Sequence, residues 1–422
     1  MLAPKSSSVR NGMTEQSWQP QLAHSTVGLL PLTMSVQHVD LLDVDLYLSD
    51  PYPTFRELRA SQPISWQADP GFWAVTTHAE ITAIARDHES FSSATGTDID
   101  DMPSDFVRSI LHMDPPRHTK VRKLLSLEFA PRNLARVEPL IRETAIAILD
   151  GLSPAEPLDF ASQVADELPM HVLGRLIGIP TSDDKRFKAW NLVMIAASDP
   201  WGAEVRAVTQ EMVEYFSYLR AERVREPRDD LVTRLALARV DDQPLDDQEY
   251  FGNLRTLMTG GQDTTSNLIS GGVRELGRRP ELWSDLRRFP GALESAIEEM
   301  LRYVLGVTHL VRRAVRDVAF GDVSIKAGEK VALFFLSGNR DEQVFEDPDR
   351  FDILRHPNPH LAFGFGRHFC IGAPLARLEA RIMLEELLRR FRLIETGECE
   401  RIRSRVFPGI SNMQAVLHPL SD

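Results

Sequence analysis

A single cysteine in a glycine-framed loop, followed at once by a helical pattern, constrains this chain more than any other segment. Cys370 lies in the run Phe-Gly-Phe-Gly-Arg-His-Phe-Cys-Ile-Gly over residues 363–372. Gly364 and Gly366 allow tight turns and the close approach of a flat ligand. From Ala373 onward, apolar residues recur at helical spacing, namely Leu375, Leu378, Ile382, Leu387 and Phe391.

Cys370 is therefore expected near a helix N-terminus, where the helix dipole and free backbone N–H groups stabilise a thiolate. One interpretation is a thiolate held out for a metal or an electrophile, and the other is a buried structural cysteine. A dinucleotide-binding loop does not fit, because the glycines do not follow the spacing G-x-G-x-x-G. The loop by itself leaves the first two interpretations open.

Composition excludes several classes of protein. The 422 residues include only two cysteines, Cys370 and Cys399, which excludes a disulfide scaffold, and no Cys/His cluster has zinc-ligand spacing. A net charge of −13 argues against a general nucleic-acid binder. No apolar stretch approaches the roughly 20 residues of a membrane span, and the first residues lack signal-peptide architecture. We therefore expect a cytoplasmic protein without a membrane span.

The chain is predicted to form one large domain behind a tail. Residues 1–38 are rich in Ser, Gln and Thr and are predicted to be a flexible tail, with Met13 as an alternative start. Residues 39–422 contain no internal repeat and no linker. Helical periodicity dominates from Arg117 to Val304, whereas 71–77 and 311–335 have the patterns of short strands. The expected fold is mainly α with a small β-rich portion.

Two glycines interrupt a helical segment just before an acid and a hydroxyl. Gly260 and Gly261 each cost about 1 kcal/mol relative to alanine inside a helix, and Asp263 and Thr264 follow. A helix that keeps such glycines needs the close approach of another group or a local opening of its hydrogen-bond ladder. An ordinary kinked, buried helix is the alternative.

Two further pairs have helical spacing. Glu299 and Arg302 are three residues apart and share a helix face, although surface ion pairs at this spacing are common. His118 and Arg122 are four residues apart, so they also share a face. Two cationic donors on one face suit an anionic ligand, and a solvated basic face is the commoner explanation.

Basic residues are concentrated on two segments although the net charge is negative. One of these segments is the helix after Cys370. Such runs form either a solvated face or a docking patch for an acidic partner. The residues are Lys120, Arg122, Lys123, Arg377, Arg381, Arg389 and Arg390.

The order of these motifs resembles that of the cytochrome P450 family, the haem-thiolate monooxygenases, and especially its soluble bacterial members. The resemblance extends from about Val39 to the C-terminus. It implies the single-domain cytochrome P450 fold, with haem between a distal glycine-opened helix and a proximal cysteine loop. The matching motifs are His118 with Arg122, the glycines before Asp263-Thr264, Glu-x-x-Arg at Glu299 and Arg302, and the cysteine loop at 363–372.

The resemblance implies a haem b cofactor with Cys370 as the axial thiolate ligand of iron. Phe363 would pack near the sulfur, and Gly261 and Gly372 would also lie at the haem. Glu299 and Arg302, together with Arg350, would form a buried ionic cluster that supports the cysteine loop. The cations expected at the haem propionates are His118, Arg122, Arg312 and His368.

The resemblance also assigns the catalytic residues. Thr264 would stabilise bound dioxygen and order water, and Asp263 would connect that water to a supply of protons, which is a general-acid role. Two positions depart from the family's pattern. Gly306 stands where many members have proline, which leaves the path of residues 307–310 open. Pro374 follows the cysteine closely, at a place where the first turn of a helix tolerates proline.

The implied reaction is hydroxylation or epoxidation of a hydrophobic small molecule such as a terpenoid, a steroid or another natural product. Oxidative coupling or ring formation is one alternative, and a haem-binding sensor without turnover is another. Electrons would come from NAD(P)H through an external ferredoxin reductase and ferredoxin. The residues expected near the substrate are Phe106, Trp190, Met194, Trp201, Leu257, Gly260, Val307, Thr308, His309 and Leu310.

Overall fold

The computed structural model of the protein describes residues 39–103, 108–196, 202–304 and 306–420. Helices account for most of the regular structure in these ranges. They are α1 (Val44–Leu48), α2 (Tyr52–Ser61), α3 (His78–Arg86), α4 (Arg117–Ser126), α5 (Pro131–Asp150), α6 (Glu167–Ile177), α7 (Asp184–Ala196), α8 (Ala203–Arg225), α9 (Leu231–Leu237), α10 (Asp247–Gly277), α11 (Pro280–Arg288), α12 (Leu293–Tyr303), α13 (Phe335–Gly338) and α14 (Ala373–Arg390).

The strands are short, apart from a long hairpin near the C-terminus. They are β1 (Ile64–Gln67), β2 (Phe72–Val75), β3 (Phe91–Ser92), β4 (Leu158–Asp159), β5 (Arg239–Val240), β6 (Gln243–Pro244), β7 (Leu310–Ala314), β8 (Val318–Phe320), β9 (Val323–Ile325), β10 (Lys330–Leu333), β11 (Phe391–Arg401) and β12 (Ile410–Pro419).

The largest sheet has the order β1-β2-β10-β7-β3. Its central strand β10 runs parallel to β2, with Val331 opposite Trp73, and antiparallel to β7, with Val331 opposite Arg312. The hairpin of β11 and β12 continues into β4. The sheet order places Arg312 on an interior strand, which explains why this charged side chain is buried.

The helical core is built around α10. Its first turn is capped by Asp246, whose side chain accepts from the Glu249 N–H at 2.7 Å, and acidic residues at this end suit the helix dipole. The helix packs against α6, α12, α14 and β11. Because neighbours surround it, α10 has buried residues along most of its length and carries Asp263 and Thr264 into the interior.

The structure agrees with the expected fold class and differs in some elements. Strand β1 lies outside the segments 71–77 and 311–335 whose patterns predicted strands, and it pairs with β2. Phe391, whose spacing suggested the end of the last helix, begins β11, because its apolar position also suits a strand that packs on the core. Among the described helices, none combines the length and the apolar character that crossing a membrane requires.

Candidate haem-thiolate site

The cysteine loop is shaped by its glycines. Gly364 and Gly366 have φ values of +67° and +73°, in the left-handed region that side chains disfavour. A Cβ on Gly366 would lie 2.4 Å from the Ala85 carbonyl oxygen. The backbone N–H of Cys370 donates to the Phe363 carbonyl at 2.8 Å, which closes the loop. Position 366 therefore requires glycine for both its conformation and its space.

Cys370 lies just before α14, as predicted. Burial raises the pKa of its thiol, whereas the backbone N–H groups of Gly372 and Ala373 and the guanidinium of Arg122 lower it. The carbonyl of Phe369 accepts from Arg122 Nη2 at 2.5 Å, so this cation is fixed beside the loop. The surroundings thus provide donors and positive charge for a thiolate in a place that water reaches poorly.

Phe363 lies in the same loop, half-buried. Its ring is covered by the guanidinium of Arg377, which lies 4.6 Å from the ring centroid. On another side it packs edge-on against Phe369, with centroids 6.0 Å apart. These contacts fix the ring close to the segment that carries Cys370.

Two histidines and an arginine meet beside the loop, and none of them forms an ion pair with a described residue, although the charge of Asp114 acts on His118 and Arg312. The rings of His118 and His368 lie 4.4 Å apart, and both ring nitrogens of His118 are buried with no partner in the described part. Arg312 is only 4% exposed and donates to the Val311 carbonyl at 2.8 Å. Burial lowers the pKa of His118 to about 4 and that of Arg312 to about 10. An anion among these groups would satisfy their donors and raise those pKa values.

The two glycines of α10 face different surroundings. No atom lies within 4 Å of a Cβ built on Gly260, so this face of the helix borders open space. A Cβ on Gly261 would lie 3.0 Å from Leu173 Cδ2, because Gly261 faces α6. The open face belongs to Gly260, and the expectation that Gly261 lies at the haem stays a prediction. Helix α10 is also continuous through these two glycines, so the local opening of its hydrogen-bond ladder, one of the two expected arrangements, is not seen.

Asp263 and Thr264 lie on α10 one turn beyond Gly260. The Thr264 hydroxyl donates to the Gly260 carbonyl at 2.7 Å. Asp263 accepts from the Asn191 side chain of α7 at 3.1 Å on each carboxylate oxygen. Burial raises the pKa of Asp263 to about 7, against the lowering effect of the Asn191 hydrogen bonds. A carboxyl with this pKa can both give and take protons near neutral pH.

A cavity of about 370 Å³ borders both residues. One part of its wall is polar and includes Asp166, Lys188 and Gln262. Another part is apolar and reaches Leu192, whose side chain is largely exposed. The remaining lining residues are Asn191, Asp263, Thr264, Ser266, Asn267, Gly306, Arg401, Ile402, Arg403, Phe407, Gly409, Ile410 and Ser411.

Glu299 and Arg302 form a fully buried ion pair. Arg302 Nη2 and Nε donate to the two oxygens of Glu299 at 2.7 and 2.8 Å, and neither side chain is exposed. Arg355 adds a second cation, with Nε 3.2 Å from Glu299 Oε2. Arg350, which was expected in this cluster, leaves 69% of its side chain exposed and contributes only its carbonyl oxygen, which accepts from Arg302 at 3.1 Å. Arg355 therefore takes the predicted place of Arg350.

The ion pair is connected to the cysteine loop through Asn339. Arg302 Nη1 donates to the Asn339 carbonyl at 2.9 Å. The side-chain oxygen of Asn339 accepts from the Leu361 N–H at 2.6 Å, two residues before Phe363. This chain of contacts gives the Glu-x-x-Arg motif a structural link to the loop.

Residues 306–310 only partly match the expected pocket. Gly306 lines the cavity. The Thr308 hydroxyl donates to the Arg405 carbonyl at 2.5 Å, and a substrate contact of Thr308 stays a prediction. His309 is buried against Phe334, with ring centroids 4.9 Å apart. For Leu257, Val307, His309 and Leu310 a substrate contact stays a prediction.

The aromatic residues expected near the substrate have a similar outcome. Trp190 faces α8 instead: its indole N–H donates to Glu211 at 3.0 Å, and its ring packs against Tyr215. Met194 is half-buried on α7 and stays a prediction. Phe106 and Trp201 lie outside the described residues.

The basic patch is largely neutralised by ion pairs. Lys120 pairs with Asp241, Arg377 with Glu298, Arg381 with Glu138 and Glu385, Arg389 with Glu386, and Arg390 with Asp150. Lys123 is exposed and has no ion pair with a described residue. The predicted patch is thus much smaller than its residue count suggests.

Sequence reasoning missed three residues. Asn191, Asn339 and Arg355 each bind a motif residue from another element. Arg355 follows the predicted Arg350 in the same irregular segment. The prediction therefore named the right part of the chain for the cation beside Glu299, but not the right arginine. No sequence signal pointed to Asn191, because a lone asparagine on a helix has no pattern.

Comparison with known proteins gives a consistent identification. The sequence pattern of the cytochrome P450 family matches residues 291–413. A steroid C26-monooxygenase of Mycolicibacterium smegmatis is 34% identical over 397 residues, covering 89% of this chain and 92% of that protein. Linalool 8-monooxygenase of Pseudomonas putida is 31% identical over 411 residues, covering 91% of this chain and 100% of that protein.

A solved structure agrees with these relatives. A cytochrome P450 of Mycobacterium marinum, in complex with pseudoionone, matches with a TM-score of 0.84 and 34% identity. The match covers 91% of this chain and 100% of that chain. Similarity of this extent, at this identity, establishes more than a shared architecture. The chain belongs to the cytochrome P450 family of haem-dependent monooxygenases.

Proposed function

We propose that this chain is a haem-thiolate monooxygenase that inserts oxygen from dioxygen into a hydrophobic terpenoid- or steroid-like molecule. The observation that carries the proposal is the set of nitrogen donors at the cysteine loop. His118, Arg312 and His368 are grouped beside Cys370, and none of them forms an ion pair with a described residue. Such a grouping is costly unless an anionic group is bound there.

The residues present fit haem b. Cys370 would supply the axial thiolate, and His118, Arg122, Arg312 and His368 would bind the two propionates. A Cβ on Gly372 would lie 3.9 Å from Cys370 Sγ, at ordinary van der Waals distance, so Gly372 borders the sulfur. On α10, Gly260 borders open space where a flat group and a small ligand can lie close to the backbone. Haem, when bound, supplies the activation of dioxygen and the oxidation itself.

The protein's own contribution on the distal side is the handling of protons. Asp263 borders the polar part of the cavity, and Thr264 follows it on the same helix turn. The carboxyl passes a proton towards Thr264 and is reprotonated from water in the cavity. The Thr264 hydroxyl orders the water that receives this proton. A pKa near 7 suits a group that must be reprotonated in each cycle.

The substrate class rests on the cavity and on the relatives. The apolar wall formed by Leu192, Ile402, Phe407 and Ile410 suits a hydrocarbon skeleton. The named activities of the relatives concern a steroid and linalool, and the solved relative holds pseudoionone. These names support a terpenoid or steroid skeleton for this chain.

Electrons are proposed to come from NAD(P)H through a ferredoxin reductase and a ferredoxin. The docking surface that the structure supports is the proximal patch, defined as Lys123, Leu127, Arg367 and Phe369. All four are exposed, and the bond from Arg122 to the Phe369 carbonyl joins α4 to the cysteine loop. Free positive charge around two apolar side chains suits an acidic ferredoxin.

The test is turnover with a defined electron supply and isotopically labelled dioxygen. Purified protein, ferredoxin, reductase and NADPH are incubated with monoterpenoids, ionones and steroids that first shift the haem absorbance on binding. The expected result is a product with one labelled oxygen atom. A product that has lost hydrogen without gaining oxygen would overturn monooxygenation in favour of oxidative coupling, and binding without product would favour a sensor.

A further inference from the structure

Asn191 is bound to the carboxyl that the proposed reaction uses for proton transfer. It lies on α7, is 1% exposed, and donates its side-chain Nδ2 to both oxygens of Asp263 at 3.1 Å. Its own Oδ1 is buried without a partner among the described residues. The Nδ2 group of the amide is therefore committed to Asp263, and its Oδ1 acceptor is left unpaired.

No cation among the described residues forms an ion pair with Asp263. The nearest candidate on the same helix is Lys188, three residues before Asn191, and its Nζ is bound to Glu167 at 2.6 Å. Ser266 of α10 donates to Asp166, which lies just before α6. The negative charge of Asp166 raises the pKa of Asp263. Asp263 thus lies near a neutral amide, an acid and a cation that is bound elsewhere. Arg401 and Arg403 of β11 and the segment after it also line the cavity, and Arg403 is paired with Asp45.

We propose that Asn191 is a positioning residue that holds the Asp263 carboxyl at the cavity wall while leaving it able to carry a proton at neutral pH. This inference rests on the proposed function. A lysine or arginine in the same place would also hold the carboxyl, but it would stabilise the ionised form and lower the pKa. A neutral amide fixes the direction of the carboxyl with a smaller effect on its proton affinity.

The inference includes the path of the proton. Asp263 releases a proton to a cavity water beside Thr264, and that water would hold the proton for the oxygen chemistry that haem supplies when bound. A proton from bulk water then returns to the Asp263 oxygen through the cavity that Asp166 and Lys188 also line. Asn191 neither gains nor loses a proton in this cycle.

The experiment compares Asn191→Lys and Asn191→Leu with the parent protein, all loaded with haem. Infrared spectroscopy gives the pH midpoint of Asp263, which is assigned as the carboxyl band that Asp263→Asn removes. We expect Asn191→Lys to lower this midpoint by about 1–3 pH units and Asn191→Leu to raise it. The pH dependence of product formed per NADPH consumed is expected to move in the same two directions.

Leu192→Ala is the matched control, because Leu192 is the next residue of α7, lines the same cavity and has no polar side-chain atom that could bind Asp263. Its midpoint should equal that of the parent protein. A purely structural Asn191 would lower stability in its variants without moving the midpoint, which would overturn the inference. The infrared midpoint does not depend on turnover, so absence of oxygenated product would contradict the proposed function and leave this measurement intact.

Discussion

Arg302 donates to both carboxylate oxygens of Glu299, and neither side chain has any exposed surface. A buried ion pair of this kind gains little net stability over apolar residues, but removing one partner strands a charge. Here the remaining lone pairs and donors are also used, since Glu299 accepts from the Asp352 N–H at 2.8 Å and Arg302 donates to the Pro348 carbonyl at 2.8 Å. The pair therefore fixes the irregular segment that leads to the cysteine loop.

Glu299→Gln should destabilise the protein by about 3–5 kcal/mol, because Arg302 and Arg355 would lose their shared anion. Denaturant unfolding measures this change, and the haem content after purification should fall with it. Arg350→Gln is the control, since its exposed side chain makes only a 4.0 Å contact with Asp352. Equal losses from the two substitutions would contradict the assignment of Arg355 in place of Arg350.

Arg312→Gln should release haem about tenfold faster or more than the parent protein. The reason is that a hydrogen bond to a charged group contributes about 1.5–3 kcal/mol, and Arg312 forms no ion pair with a described residue that could replace a propionate. The measurement is the rate of haem transfer to an excess of an apo-globin. Arg316→Gln, an exposed arginine close by that donates to Ser90, should leave the rate unchanged; the same rate in both variants would remove Arg312 from the haem site.

Thr264→Ala should keep haem and fold but divert electrons from product to peroxide. Loss of the hydroxyl removes the group that orders the proton-carrying water, and product per NADPH should fall by roughly 100-fold or more. Thr264→Ser retains a hydroxyl and should recover most of the product yield. Peroxide and product are measured together; unchanged yield in the alanine variant would exclude Thr264 from proton handling.

The motifs and the fold class were predictable because each depends on a local pattern. The cysteine loop, the Glu299–Arg302 spacing and the start of α14 depend on neighbouring residues, so the sequence showed them directly. The partners of these motifs depend on tertiary contacts. Arg355 rather than Arg350 reaches Glu299 because the irregular segment after α13 turns the later arginine inward.

The same distinction explains the remaining differences. Gly260 and Gly261 are adjacent, and only the packing of α6 decides that Leu173 covers Gly261. Basic residues on α4 and α14 suggested a broad positive surface, but acids distant in sequence, such as Asp241 and Glu298, neutralise them. The helical periodicity of α4 and α14 does not show which distant acids will lie beside their basic residues.

Lys123→Glu should slow ferredoxin-supported turnover by several-fold and flatten its dependence on salt. Lys123 is the exposed cation of α4 that has no described ion-pair partner, so reversing its charge should affect association with an acidic partner. Lys185→Glu, an exposed cation on α7, is the control. Turnover is measured over a salt series, and identical curves for both variants would exclude the proximal patch as the docking surface.

The central claim is that Cys370 binds haem iron as a thiolate, and the absorbance spectrum of the reduced carbon-monoxide complex tests it most directly. Thiolate ligation shifts the main haem band of this complex to a longer wavelength than histidine ligation does, and we expect the parent protein to show the shifted band. Cys399→Ser, on β11, should retain it. Cys370→Ser should lose the shifted band, either because haem itself is lost or because haem is bound in another way. A shifted band that persists in Cys370→Ser would contradict the assignment.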